Sequence, residues 1–144
     1  MKIAACTDST QLAQLHARCF ARGWTRKTFA ELLSQSGVCA FGHAGGFILL
    51  RHVLDEAEIF TLAVVPALRR QKLATQLVAA ACDYLCQHQI MMVHLEVAQS
   101  NVEARNFYRQ CGFVECGRRR GYYKTNDKND DAYLMRRDLS RYLC

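Results

Sequence analysis

The stretch EIFTLAVVPALRRQKLATQLV, Glu58–Val78, decides the fold of this chain. It opens with a hydrophobic strand, Glu58–Val65, which stops at Pro66 because proline has no N–H for a β-ladder. The basic turn Leu68–Ala74 follows and feeds directly into an apolar helix. The free N–H groups of a helix's first turn, together with its dipole, favour an anion. This pattern predicts either a compact anion site or an ordinary turn whose arginines are solvated.

A second motif, NVEARNFYRQCGF at Asn101–Phe113, narrows that choice. Asn101, Ala104 and Tyr108 fall at helical spacings and therefore share one face of a short helix. Gly112 follows the last turn, where glycine is a common stop signal for a helix. The motif thus predicts a helix that ends at Gly112 and is followed by another strand.

The strand before this motif helix, Met91–Val97, alternates in polarity. Its three aliphatic residues at alternate positions share one face, and His94 and Glu96 fall on the other. Both faces of a central strand are normally apolar, so a carboxylate at position 96 indicates a specific role. Glu96 either takes part in catalysis or lies at the strand end and forms an ion pair with a nearby basic side chain.

The two motifs together, in this order and at this separation, resemble the GCN5-related N-acetyltransferase (GNAT) family. The basic turn resembles that family's pyrophosphate loop, and the second motif resembles its asparagine-to-tyrosine helix. Within the family, the chain looks most like the bacterial RimI-type ribosomal-protein N-terminal alanine acetyltransferases. Four stretches carry that closer resemblance: Gly23–Phe29, Leu54–Val64, His94–Phe113 and Arg118–Met135.

The element pattern suits the α/β GNAT fold that this resemblance implies. We expect one domain, 1–144, with a mixed, mostly antiparallel sheet of about seven strands and about four helices on both faces. Helices are predicted at Ser9–Cys19, after the N-cap Thr25, at Leu73–Gln87 and in the second motif. Strands are predicted near Lys2–Ala5, Val38–Phe41, Phe47–Leu54, Glu58–Val65, Met91–Val97, Phe113–Tyr123 and Ala132–Asp138.

Composition excludes several classes of protein. The 144 residues contain no apolar run long enough to span a bilayer, and Met1–Ala5 does not resemble a signal peptide, so we expect a cytoplasmic protein. The eight cysteines do not suggest a disulfide framework. Cys82, Cys86 and Cys111 lie in apolar helical patterns that fit packing better than a metal site. The net charge of +6 suits a phosphate-bearing ligand, and no RNA-stacking motif is visible.

The resemblance implies acetyl-CoA as co-substrate, without a metal. It implies that the backbone of the strand end pairs with the pantetheine arm and that the basic turn holds the phosphates. Asn101 holds that arm by its amide, caps the helix it begins, or does both. The residues implied for the coenzyme are Leu62, Ala63, Val64, Arg69, Arg70, Gln71, Lys72, Leu73, Ala74, Thr75 and Asn101.

Two residues are candidates for catalysis. The glutamate of the LEV sequence, Glu96, is by resemblance the general base that takes the proton of the attacking amine. Tyr108 is the candidate general acid for the departing thiolate, with an ordinary phenol pKa of about 10. The plainer interpretations also stay open, namely an ion pair for Glu96 and a core position for Tyr108.

The substrate side rests on resemblance alone. It implies a groove for a ribosomal protein's N-terminus, lined by an exposed Trp24 at the start of the second helix and by Tyr122 and Tyr123. The alternative is that Trp24 and one of the tyrosines are core residues. Neighbouring residues of a strand face opposite sides, so the tyrosines share one side only where the strand ends or bulges. The acidic run Asp127–Asp131 either attracts a basic substrate tail or is a solvated loop. We expect no membrane or direct nucleic-acid partner, and a monomer or weak dimer.

Three positions depart from the family pattern. Lys72 replaces a loop glycine and is expected to adopt helical angles with its side chain pointing outward. Val65 replaces the usual acid before the proline, and Lys124 replaces a proline after the tyrosine pair. Two rival functions therefore remain: acetylation of a small-molecule amine or a lysine, and a non-catalytic acetyl-CoA sensor.

Overall fold

The structure, a computed structural model, describes residues 2–125 and 128–141, and the side chains of these residues except 122–129. Its helices within this range are α1 (Ser9–Cys19), α2 (Arg26–Leu33), α3 (Leu73–Gln87) and α4 (Val102–Gln110). Its strands are β1 (Ala4–Ala5), β2 (Val38–His43), β3 (Gly46–Val53), β4 (Glu56–Val64), β5 (Met92–Ala98), β6 (Val114–Thr125) and β7 (Lys128–Asp138).

These strands form one sheet in the order β1-β2-β3-β4-β5-β7-β6. Neighbouring strands run antiparallel except β4 and β5, which are parallel and joined through α3. A parallel pair needs a crossover connection of this kind. The mixed, mostly antiparallel α/β architecture confirms the expected fold.

Helices cover the sheet on both faces. On one face α3 buries Leu77 and Leu85 against sheet residues such as Ile48 and Val93. On the other face α1 and α2 pack onto β2, β3 and the end of β4, with Phe29 among the fully buried side chains. Burial of each large apolar side chain stabilises the fold by roughly 1.5–3 kcal/mol. The alternation of side chains along each strand therefore builds two cores.

The helices begin at capping side chains. The Asp8 carboxylate accepts hydrogen bonds from the N–H groups of Thr10 and Gln11, at 3.0 and 3.1 Å, and so starts α1. Thr25 Oγ1 accepts from Thr28 N at 3.1 Å and starts α2. Gly112, with φ +92°, follows the end of α4 as predicted. Local chemistry thus sets these boundaries.

The pairing of β4 with β5 covers only part of their length. It joins Glu56–Glu58 to Met92–His94, and both strands then continue without pairing to each other. In β4 the register with β3 shifts by one residue, because Leu50 pairs with Ile59 and Leu49 with Thr61. This bulge at Phe60 bends β4 locally. The end of β4 beyond the bulge lies at the candidate site.

The described cysteines differ partly from expectation. Cys82, a residue of α3, is buried in the core, as predicted. Cys86 was expected to be a packing residue, but it is disulfide-bonded. Six other cysteines of the described chain carry free thiols. No helix within the described ranges is long and apolar enough to cross a membrane.

Candidate active site

A cavity of about 550 Å³ lies beside the end of β4, between the first turns of α3 and α4. Every residue predicted to bind the coenzyme lines it except Gln71. The Gln71 side-chain amide instead donates to the Ala67 carbonyl at 3.3 Å. The cavity also takes in Cys19 and Phe20 at the end of α1, which sequence reasoning missed. The two sequence motifs therefore meet at one cavity.

The α3 end of this cavity is built for an anion. No side chain caps α3, so its first-turn N–H groups have no side-chain acceptor. Arg69, Arg70 and Lys72 surround this helix end and are all exposed. The helix dipole adds positive potential at the same place. The arrangement fits a diphosphate.

Arg69 also holds the turn in place. Its Nε donates to the Val64 carbonyl oxygen at 3.0 Å and so ties the basic turn to the end of β4. Val64 in turn pairs with Gly46 in β3. The cationic turn is therefore anchored to the sheet at the point where the cavity begins, a role that sequence reasoning missed.

The turn contains two residues with left-handed backbone angles. Lys72 has φ 64° and ψ 12°, and Arg70 has φ 63°. The expectation that Lys72 adopts ordinary helical angles was wrong, although its side chain is exposed as predicted. A left-handed conformation costs roughly 1–2 kcal/mol for a residue with a Cβ atom. At Lys72 the turn therefore has a backbone conformation that glycine adopts more readily than lysine.

Replacing Lys72 by glycine and by alanine separates this strain from the charge. Both changes remove the ammonium group, but only Lys72→Gly relieves the left-handed backbone. We expect the glycine variant to be more stable than the alanine variant by about 1 kcal/mol, measured as free energy of unfolding in urea. Equal stability of the two variants would contradict the backbone assignment.

Asn101 caps α4. Its Oδ1 accepts from the Ala104 N–H at 3.1 Å, and the residue also lines the cavity. Of the two roles predicted for Asn101, helix capping is therefore confirmed. Ala104 and Phe107 place the next turn of α4 along the same cavity.

Glu96 lies on β5, opposite Leu134 of β7. Its side chain is 22% exposed, and its Oε1 lies 3.2 Å from Nη2 of Arg119 in β6. The alternation of β5 puts Glu96 on the opposite side of the strand from the residues that pack on α3. It lines a separate groove of about 570 Å³ rather than the anion cavity. The carboxylate thus has the ion-pair partner that one interpretation predicted.

Tyr108 is buried on α4. Its ring packs between the rings of Phe107 and Phe113, with centroids 5.1 and 5.5 Å away. Burial raises the pKa of its phenol well above the ordinary value, so the expectation of an unperturbed pKa was wrong. Tyr108 itself does not line the anion cavity, but its neighbour Phe107 does. The phenol therefore keeps its proton throughout the physiological pH range.

Trp24 packs against the core beneath α1 and α2, which fits the core interpretation better than an exposed groove residue. It precedes the N-cap Thr25 instead of beginning α2, and it is half-buried. Its backbone N–H donates to His16 Nδ1 at 3.0 Å, and its ring stacks on the His16 ring at 4.9 Å. Phe20 stacks on the same imidazole at 4.2 Å and lines the cavity. Burial lowers the pKa of His16, which favours the neutral ring that this packing requires.

The two tyrosines predicted for the substrate groove, Tyr122 and Tyr123, lie in β6, but their side chains fall outside the described residues. The backbone bulges at this point. Arg119 pairs with Ala132, and the next paired residue, Tyr123, lies opposite Asp130. The strand therefore contains a bulge, the feature that two adjacent tyrosines need if they are to face the same side.

In the acidic run Asp127–Asp131, the two aspartates that the structure describes, Asp130 and Asp131, form hydrogen bonds within the fold. Asp127 lies outside the described residues. Asp130 accepts from Ser100 N at 3.3 Å and from the Ser100 hydroxyl. Asp131 accepts from Gly121 N at 2.8 Å. The two expected roles, attraction of a basic substrate tail and a solvated loop, did not include these structural hydrogen bonds of Asp130 and Asp131.

Within the described ranges, no three His, Cys, Asp or Glu side chains lie close enough together to hold a metal ion. The described side chains and backbone of the site offer cations, backbone amides, a carboxylate and a phenol. Such groups can bind an anionic ligand and move protons.

Comparison with known proteins agrees with this geometry. A family model described as "Acetyltransferase (GNAT) family" matches residues 9–113. The [ribosomal protein bS18]-alanine N-acetyltransferase of Escherichia coli K12 is 34% identical over 138 residues, which cover 93% of each chain. The Mycobacterium tuberculosis N-alpha-acetyltransferase RimI is 33% identical, covering 91% of this chain and 87% of that protein. The crystal structure of the E. coli ribosomal-protein-S18-alanine N-acetyltransferase superposes with a TM-score of 0.88 at 33% identity, over 96% of this chain and 94% of that one.

Proposed function

This chain belongs to the acetyltransferase (GNAT) family, and we propose that it acetylates the N-terminal α-amine of a ribosomal protein. It is an acetyl-CoA-dependent N-terminal acetyltransferase. The similar proteins are named for the alanine terminus of bS18, which makes that terminus the first substrate to test. The single observation that carries the proposal is the meeting of both family motifs at one cavity with a cationic, uncapped helix end.

The residues present fit acetyl-CoA, which supplies an acetyl thioester for transfer. The pyrophosphate would lie at the α3 end, against the backbone N–H groups of Leu73–Thr75 and the side chains of Arg70 and Lys72. The end of β4 would bind the pantetheine arm as an added strand, with Asn101 on the α4 side. The Val64 N–H would polarise the thioester carbonyl.

On the amine side, Glu96 would act as general base, directly or through a water molecule. A free α-amine has a pKa of about 8, against about 10.4 for a lysine side chain, so it needs less help near neutral pH. In this proposal the amine attacks the thioester directly, and Glu96 removes the proton. The Arg119 guanidinium, 3.2 Å from the Glu96 carboxylate, would hold that carboxylate in position on its side of β5.

On the thiolate side, Tyr108 would donate a proton or a hydrogen bond to the departing sulfur. Its raised pKa keeps the phenol protonated, so the donor is present at every working pH. It also makes full proton transfer less favourable than at an ordinary phenol, because the proton leaves a group buried among aromatic rings. Hydrogen bonding to the sulfur is therefore the larger part of its proposed role.

On the peptide side, Trp24, Tyr122 and Tyr123 would line the groove for the first residues of the substrate. Trp24 contributes through its cluster with His16 and Phe20, because Phe20 reaches the coenzyme cavity. Location in the cytoplasm, a monomeric or weakly dimeric state, and the absence of direct nucleic-acid binding all stay predictions.

Initial rates on a panel of amines test this function against its rivals. The panel contains a peptide with an alanyl N-terminus, the polyamine spermidine and N-α-acetyl-lysine. We expect kcat/KM for the peptide to exceed that for either other amine at least about 100-fold, because the peptide adds binding energy and a more acidic amine. A preference for spermidine or lysine would replace the proposed substrate. Coenzyme binding without turnover of any amine would support the sensor.

A further inference from the structure

We propose that Asp131 is a positioning residue for the peptide substrate, which it serves by holding the bulge of β6. This inference rests on the proposed function, because it concerns the peptide side of the same site. The bulge clasp is the carboxylate of Asp131, the backbone N–H of Gly121 and the guanidinium of Arg118.

The first support is the backbone of the bulge. Between the pairs Arg119–Ala132 and Tyr123–Asp130, β6 contributes three residues and β7 only Asp131. Gly121 lies in the middle of these three with φ +64°, a left-handed angle that glycine adopts readily. Extra residues in a bulge lose their ladder partners. The Asp131 carboxylate replaces the missing acceptor, since its Oδ1 lies 2.8 Å from Gly121 N.

The second support is the charge that fixes this carboxylate. Asp131 Oδ2 lies 3.5 Å from Arg118 Nε, and the Asp131 side chain is only 20% exposed. Arg118 also donates to the Tyr133 hydroxyl. On the Tyr133 ring, the Arg105 guanidinium of α4 lies 4.1 Å from the centroid. The clasp is therefore braced by a buried tyrosine and by the helix that borders the coenzyme cavity.

The third support is the backbone of Asp131 itself. Its carbonyl accepts from Gln99 N at 2.8 Å, and the neighbouring Asp130 binds Ser100. Residues 99 and 100 form the loop that leads into α4. One short segment of β7 thus holds the bulge of β6 on one side and the entry to α4 on the other.

The clasp lies next to the proposed base. Arg119, which follows Arg118 in β6, approaches Glu96 to 3.2 Å. The bulge begins directly after Arg119 and ends at Tyr123. The register that the clasp fixes therefore sets where the tyrosine-bearing segment resumes its pairing with β7 relative to Glu96. Loss of the clasp would displace the peptide side of the site and leave the coenzyme cavity in place.

The test compares Asp131→Ala with Asp131→Asn in steady-state kinetics on the alanyl peptide. We expect Asp131→Ala to raise KM for the peptide about 10-fold or more, because Gly121 N–H loses its acceptor. KM for acetyl-CoA should stay within about two-fold of wild type. Asp131→Asn keeps an oxygen for Gly121 and should recover most of the peptide KM. Asp138→Asn makes the same chemical change farther along β7 and serves as the control.

The outcomes separate this inference from the proposed function. An unchanged peptide KM in Asp131→Ala, with an active wild-type enzyme, overturns only the positioning role. Equal increases in both KM values also overturn it, because they indicate a general loss of structure. Failure of the wild-type protein on the peptide overturns the proposed function and this inference together.

Discussion

Replacing Glu96 by glutamine is expected to lower kcat/KM for the alanyl peptide by about 10²–10⁴-fold, the usual contribution of a general base. Glutamine has nearly the same shape but cannot accept the amine proton. Coenzyme affinity should not change, because Glu96 does not line the anion cavity. Steady-state rates, with acetyl-CoA binding measured by titration calorimetry, provide the measurement.

Glu58→Gln is the matched control. Glu58 belongs to β4, lines the same groove as Glu96 and undergoes the same loss of charge. If Glu96 serves only as the ion-pair partner of Arg119, Glu96→Gln should behave like Glu58→Gln. A partly exposed pair of this kind is worth at most about 1 kcal/mol of stability. Equal activity of the two variants would contradict the assignment of the base.

Replacing Tyr108 by phenylalanine is expected to lower kcat by about 100-fold, the lower end of the range for general acid catalysis. The ring and its packing against Phe107 and Phe113 remain, so the free energy of unfolding should change little. Tyr84→Phe removes a hydroxyl from a tyrosine of α3 that contacts His52 instead of this site, and it provides the control.

The pH profile adds a second test of Tyr108. The attacking amine must be neutral, so kcat/KM should rise with pH and level off above the α-amine pKa of about 8. Burial raises the pKa of Tyr108, so its phenol stays protonated over that range and should produce no fall in rate there. If the Tyr108→Phe variant keeps the wild-type kcat, Tyr108 has only a packing role and is not the general acid.

Features set by local chemistry could be predicted from the sequence. The helices Ser9–Cys19 and Leu73–Gln87 begin and end where the apolar periodicity indicated. The coenzyme cavity was also predictable, because strand, turn and helix are contiguous in the chain and the turn is basic. Gly112 marked the end of α4 because its backbone angle is one that glycine favours.

Features that depend on distant partners could not be predicted. The bulge at Phe60 is a matter of register between β3 and β4, and residue type does not encode it. The left-handed angles of Arg70 and Lys72 oppose what their side chains favour. Trp24 packs on His16 of α1, and Asp131 binds a backbone N–H of the neighbouring strand β6. In each case tertiary contacts outweigh local preference.

The central claim, acetylation of a protein's N-terminal α-amine, is tested most directly by mass spectrometry of one peptide. The peptide carries the bS18 N-terminus of the protein's own organism, and a copy with a blocked N-terminus is incubated in parallel with enzyme and acetyl-CoA. We predict one added acetyl group, located on the α-amine, in the free peptide and none in the blocked copy. Equal acetylation of both peptides, or of neither while acetyl-CoA still binds, would contradict the account.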